Sequence, residues 1–116
     1  MADVLRENRR RDLRVFVIWE PVLETDWGTP SPALTGDVAD PRVMHFWDRD
    51  RRLSAWFGGA RKLPALAAVE KVGFRMTDVI WDTALLYPPA ARWGDAATVL
   101  LAPVVKYRAD LALALR

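Results

Sequence analysis

The stretch LRVFVIWE at 13–20 is β-branched or aromatic on both of its alternating sets, Val15, Val17 and Trp19 against Phe16 and Ile18. A strand with one wet face alternates apolar and polar residues, so a run that is apolar on both sets reads as a central strand of a parallel sheet, covered on both faces. The run ends on Trp19-Glu20. Two further apolar runs meet the same kind of pair, Trp47-Asp48 after RVMHF and Trp81-Asp82 after TDVI. An acid beside a large amphipathic ring at three strand ends points to one edge of an α/β sheet, the edge where such folds collect ligands.

Upstream of this strand, residues 2–11 hold good helix formers with Val4 and Leu5 as the only apolar anchors, the pattern of the last turns of an amphipathic helix. Downstream, Pro21 stops the ladder, and 21–42 contains four of the eight prolines with Gly28 and Gly36. That composition predicts a long connection with at most a short helix near 31–38. Residues 42–48, RVMHFWD, read as a second strand with Val43, His45 and Trp47 on one face and Met44 and Phe46 on the other; its His suits an edge position. Asp50 is placed to cap a short helix carrying Leu53, Trp56 and Phe57 at i, i+3 and i+4, with Gly58 as its stop. Pro64 and Gly73 bracket another short helix with Leu66 and Val69 inward. DVIWDTALLY at 78–87 predicts a third strand ended by Pro88-Pro89, and ATVLL at 97–101 returns antiparallel as a hairpin. Pro103 is expected to open a terminal helix with a stripe of Val104, Tyr107, Leu111 and Leu115.

A chain of 116 residues supports one core and therefore one domain. Its apolar share of 52% is that of a globular protein, and no apolar run reaches the ~20 residues of a membrane span. The N-terminal residues lack the apolar segment of a secretory signal, so a soluble, cytoplasmic protein is expected. The net charge of +2 is small, and the basic runs, Arg9-Arg10-Arg11 with Arg6 and Arg14 nearby and Arg49 to Arg52, are too narrow for a nucleic-acid stripe. There is no cysteine, which removes disulfides, thiolate nucleophiles and Cys-based metal sites.

The order of elements and the wording VFVIWEPVLETDWGTPSPAL, DPRVMHFWDRDRRLSAWFG and VIWDTALLYPPAARWGD, over about residues 5 to 101, resemble bacterial thioredoxin-like proteins related to thiol-disulfide oxidoreductases and peroxiredoxins. The resemblance implies a three-layer α/β/α sandwich around a mixed sheet, the first two strands parallel and the third antiparallel to them. Two departures stand out. The segment that holds Cys-x-x-Cys in the family would lie upstream of Met1, and the family's cis-proline before the third strand is replaced by Met76-Thr77-Asp78. Thiol chemistry is therefore not carried over. In the family the missing first strand lies between those at 13–20 and 78–87, so the sheet is expected to be N-terminally incomplete. Its absence would strand two rows of backbone groups at roughly 1–3 kcal/mol per buried group, unless the two neighbours pair directly or upstream residues supply the strand.

This reading leads to a redox-inactive thioredoxin-like domain, a non-catalytic remnant or a binding module, rather than an enzyme. The alternatives are the C-terminal portion of a thiol-disulfide oxidoreductase with its Cys-x-x-Cys upstream of Met1, and a strand-edge interaction module. The expected partner is another protein or a second copy of the chain, with no nucleic acid, membrane, metal or cofactor. The family topology gathers Trp19, Glu20, Trp47, Asp48, Trp81 and Asp82 on one ligand edge, with Trp27 beside it in the loop Thr25-Asp26-Trp27-Gly28-Thr29-Pro30-Ser31, a lid or a proline-rich loop held by its ring. Paired carboxylates in an aromatic setting are how an enzyme raises one pKa for acid or base work. The plainer reading is that each acid caps a following turn and each indole N–H bonds locally. His45, the lone histidine, alternates onto the face opposite Asp48, which leaves little for a metal. Arg92-Trp93-Gly94-Asp95 reads as a hairpin loop with its ring over the sheet. No Ser-His-Asp set, phosphate loop or dinucleotide fingerprint occurs.

Overall fold

The computed structural model describes residues 1–23, 25–26, 28–57, 79–80 and 82–116. The helix expected at 64–73 with Leu66 and Val69, its Gly58 predecessor, and the site candidates Trp27 and Trp81 lie outside the described residues. So does the start of the strand expected at 78–87, apart from Val79 and Ile80.

The described elements run α1 (Ala2–Glu7), β1 (Val15–Trp19), α2 (Pro32–Gly36), β2 (Val43–Trp47), α3 (Arg52–Trp56), β3 (Ala84–Leu86), β4 (Val99–Leu101) and α4 (Arg108–Ala114). β1 and β2 pair in parallel, from Val15 beside Val43 to Trp19 beside Trp47. β3 and β4 form the expected antiparallel hairpin, Ala84 facing Leu101 and Leu86 facing Val99. The result is a mixed α/β domain with two small sheets.

β1 is not covered on both faces as its composition predicts, since Phe16 is 57% exposed. Among the described residues it pairs with β2 alone. The Val15 amide donates to the Arg42 carbonyl (3.0 Å) and the Trp19 carbonyl accepts from the Asp48 amide (2.8 Å). Parallel ladders alternate the direction of successive residues, so the backbone groups of Val15, Val17 and Trp19 face β2 and those of Phe16 and Ile18 face the other edge. Phe16 is apolar without being enclosed because it packs sideways, its ring 6.2 Å from that of Phe46 on the neighbouring strand. Direct pairing between β1 and β3 is not present among the described residues either.

A buried apolar cluster joins the two terminal helices. Val4, Leu111 and Leu115 are buried together where α1 meets α4, and Leu13, Ala84, Leu86, Leu101 and Val104 pack against them. Each such aliphatic side chain contributes about 1.5–3 kcal/mol by leaving water. The terminal helix begins at Arg108 and not at Pro103; residues 103–106 form a turn instead, closed by Lys106 N–H on the Pro103 carbonyl (3.1 Å) and held to Asp82. Val104 N–H donates to the Asp82 carbonyl (2.7 Å) and Val105 N–H to the Asp82 carboxylate (3.3 Å). Leu111 and Leu115 still form the expected inward stripe.

One residue fixes where the β1–β2 pair starts. Arg42 places all five guanidinium hydrogens: two on Asp40 (2.8 and 2.7 Å), and the rest on the carbonyls of Leu5 (2.5 Å), Asn8 (2.6 Å) and Arg10 (2.9 Å). The carbonyls at and beyond the C-terminal end of α1, which have no intrahelical donors, are thereby satisfied and tied to the entry of β2.

Candidate functional site

The site grows from the last step of the β1–β2 ladder. Glu20 and Asp48 are the residues that follow the last ladder pair, Trp19 and Trp47. The chain then reverses after Asp48 and enters α3 through Arg51, which adopts a left-handed conformation (φ 55°) and offers no side-chain cap. The two carboxyls take over the open amides of this short helix. Asp48 Oδ2 accepts from Leu53 N–H (2.7 Å), and Glu20 Oε1 accepts from the next amide, Ser54 N–H (3.1 Å). Asp50, the residue the sequence favours as cap, pairs with Arg52 on the surface instead (3.3 Å). The distant Asp48 caps because the tight turn at 48–51, closed by Arg51 N–H on the Asp48 carbonyl (3.2 Å), brings its carboxylate over the helix start.

Ser54 stands at the centre, 1% exposed. Its hydroxyl donates to Glu20 Oε2 (2.5 Å) and accepts from Ile80 N–H (2.8 Å). One side chain therefore joins the end of β1, the first turn of α3 and the segment leading toward β3. Sequence reasoning passed over Ser54; its one signal was a hydroxyl next to the inward Leu53 in a short helix.

The two acids differ electrostatically. Burial pushes Glu20 above the ordinary glutamate value, the neighbouring Asp48 carboxyl adds to this, and the two bonds from Ser54 oppose it. Burial also works against charge on Asp48, but the amides of Leu53 and Arg52, a hydrogen bond with Glu20 and the Arg52 charge together hold it below the ordinary value. The Ser54 hydroxyl between them is sealed, donating to Glu20 and accepting from Ile80. The arrangement is suited to binding elements together.

The remaining candidates are distributed around this centre. The Trp19 indole N–H donates to His45 Nδ1 (3.0 Å), with the rings stacked 6.0 Å apart, so both occupy each other on the face away from Glu20. Trp47 is half-buried beside Trp19. Asp82, with φ 45°, turns its carboxylate to Val105 N–H, and no hydrogen bond joins it to Glu20 or Asp48. Asp26 closes a local turn by accepting from Val22 and Leu23 amides (3.3 and 2.9 Å). Trp93, 70% exposed, packs on Trp56 of α3 (ring centroids 5.3 Å) and not over a sheet as expected, because the 90–96 loop projects toward that helix. No group of three or more His, Cys, Asp or Glu positioned for a metal occurs among the described residues.

The concave surfaces lie elsewhere. Two shallow depressions of about 370 and 380 Å³ flank Asn8, Arg9 and Arg10, the first also bordered by Arg6, Arg11 and Arg42. Arg42 is saturated and Arg10 grips Asp12 through two bonds (3.0 and 2.7 Å), so this basic surface is partly neutralised from within. No helix among the described residues is long and apolar enough to cross a membrane.

Comparison with protein-family models, curated proteins and solved structures returned no match.

Proposed function

We propose that the chain is a redox-inactive, thioredoxin-like binding module that receives an extended segment of a partner protein along the edge of β1 that faces away from β2, with Glu20 and Asp48 at the end of the β1–β2 pair. The observation that carries this reading is the division of the strands. Among the described residues a parallel pair and an antiparallel hairpin form separate sheets, linked at one end through Glu20, Ser54 and Ile80, while the backbone groups of Phe16 and Ile18 face away from β2. An edge of this kind binds through main-chain hydrogen bonds and reads alternate side chains. The same separation is what a thioredoxin-like sheet without its central strand would leave. The absence of cysteine supports a non-catalytic role for the residues in hand.

The test is an NMR titration of the labelled protein with a set of synthetic ten-residue peptides of alternating apolar and polar sequence. Binding should protect the Phe16 and Ile18 amides from hydrogen exchange and shift them most. Perturbation confined to the Arg9–Arg11 surface, or none with any peptide, would sink the reading. Self-association is the second reading, favoured by the exposed Phe16, Met44 and Phe46 on one face of the pair. Sedimentation across about 1–100 µM separates the two, since only self-association changes mass with concentration.

A further inference from the structure

The surface around Arg9 and Arg11 carries more positive charge than the fold consumes. Arg42 is paired with Asp40 (2.7 Å), Arg10 with Asp12 (2.7 Å) and Arg6 with Asp3 (3.3 Å). Arg9 and Arg11 border the same depression as these three cations, are exposed, and make no ion pair or side-chain hydrogen bond among the described residues. The carbonyls that end a helix ordinarily add negative potential to such a surface. Here Arg42 takes those of Leu5, Asn8 and Arg10, so the backbone offers Arg9 and Arg11 little in exchange. The residues outside the described ones hold no surplus of acid to supply it, since Glu24, Glu70 and Asp78 stand there against Arg61, Lys62, Lys71 and Arg75. Glu7 borders only the second depression, which it shares with Arg116.

Three features define the kind of partner that fits. Guanidinium groups pair with carboxylates through two parallel hydrogen bonds. The two depressions, about 370 and 380 Å³, adjoin through Asn8, Arg9 and Arg10 and together offer room for several residues of chain, where one small anion would fill a corner. No aromatic ring borders either of them, whereas single-stranded nucleic acid is held by rings as well as cations and a duplex needs a broader stripe. We propose that this surface docks an acidic segment of a partner protein, with carboxylates on Arg9 and Arg11 and the chain lying across the adjoining depressions. The inference does not depend on what the β1 edge receives: Phe16 and Ile18 report on that edge, and residues 8–11 report on this surface.

A fluorescein-labelled ten-residue peptide of alternating glutamate and glycine, followed by anisotropy, tests the proposal. It should bind, and its affinity should fall by about three- to tenfold between about 50 mM and about 200 mM salt, as a contact between exposed charges must. An Arg9→Gln, Arg11→Gln double variant should bind about three- to tenfold more weakly, the loss of two exposed ion pairs, with its thermal midpoint unmoved because neither side chain is engaged in the fold. Arg49→Gln with Arg92→Gln removes the same charge from exposed positions elsewhere and should bind as the unaltered protein does. By NMR the amides that shift should be those of residues 8–11, with Phe16 and Ile18 still. No binding, equal binding of the peptide with glutamine in place of glutamate, or equal weakening by the Arg49 and Arg92 substitutions would overturn the proposal. Complete displacement of the peptide by an equal concentration of inorganic phosphate would overturn it too, since the surface would then hold one anion and not a segment, and so would tighter binding of an oligothymidylate.

Discussion

The two ends of the β1–β2 pair are closed by opposite electrostatics. At the start of the strands, Arg42 and Asp40 are a cation and an anion, 16% and 17% exposed, with every guanidinium hydrogen placed. At the finish, two acids meet over a buried serine. The first closure needs charge on both partners, and Arg42 holds Asp40 down to about 2. The second joins its acids through neutral donors, the Leu53 and Ser54 amides and the Ser54 hydroxyl. A single short sheet thus carries one end closed by an ion pair and one end closed by backbone and hydroxyl donors on two carboxyls.

Removing the first closure should give the largest effect. Arg42→Ala frees three carbonyls at and beyond the end of α1 and unpairs Asp40, and we expect a greater fall in thermal midpoint than for Ser54→Ala, since five side-chain hydrogen bonds are lost against two. Arg42→Lys should recover little, since an ammonium cannot reproduce the fork. If Lys restores the midpoint, the closure is a matter of charge alone and the contrast between the ends weakens. Ser54→Ala should cost about 1–3 kcal/mol in urea unfolding, because it leaves the Ile80 amide and the second Glu20 oxygen without their partner.

The pH dependence separates the ends more finely. Asp40 is depressed from 3.8 to about 2, so its contribution is complete above 3.8 and is lost as pH falls from there through 2. Asp48, also depressed, acts in the same sense. Glu20 is raised above 4.5, so its contribution is complete below 4.5 and is lost as pH rises through the folded-state value. Stability should therefore peak in mild acid. Asp40→Asn should flatten the acid limb and Glu20→Gln the other, each leaving the opposite limb in place; one variant changing both limbs would break the comparison. The smallest effect is expected between the closures: Trp19→Phe removes one bond to His45 and should cost about 0.5–1.5 kcal/mol in urea unfolding.

Much of the local structure was legible in the sequence. The alternation of Val43, His45 and Trp47 with Met44 and Phe46 matches the exposure of β2, the short helix expected near 31–38 is α2 with Ser31 as its cap, and the hairpin returns as expected. Val4 and Leu5 anchor α1 as their isolation among polar neighbours indicated. The errors share a cause. The covered state of β1, the start of the last helix at Pro103, Asp50 as cap and the place of Trp93 each depended on what a distant segment does: Phe46 beside Phe16, Asp82 holding Val104 and Val105, Asp48 reaching Leu53, and Trp56 meeting Trp93.

The candidate site divides in the same way. Three Trp–acid pairs at strand ends named Glu20 and Asp48, because a polar residue after an apolar run marks where a strand leaves the core, and that is a property of composition and period. Composition gave the pairs no way to differ. The parallel pairing ended both strands at one helix start, where Asp48 took the Leu53 amide and Glu20 the Ser54 amide, and the fold delivered Ile80 to the same point while Asp82 went to Val105. Which donors each acid meets is a question of distance and burial, fixed only when segments 34 and 26 residues apart close on one hydroxyl.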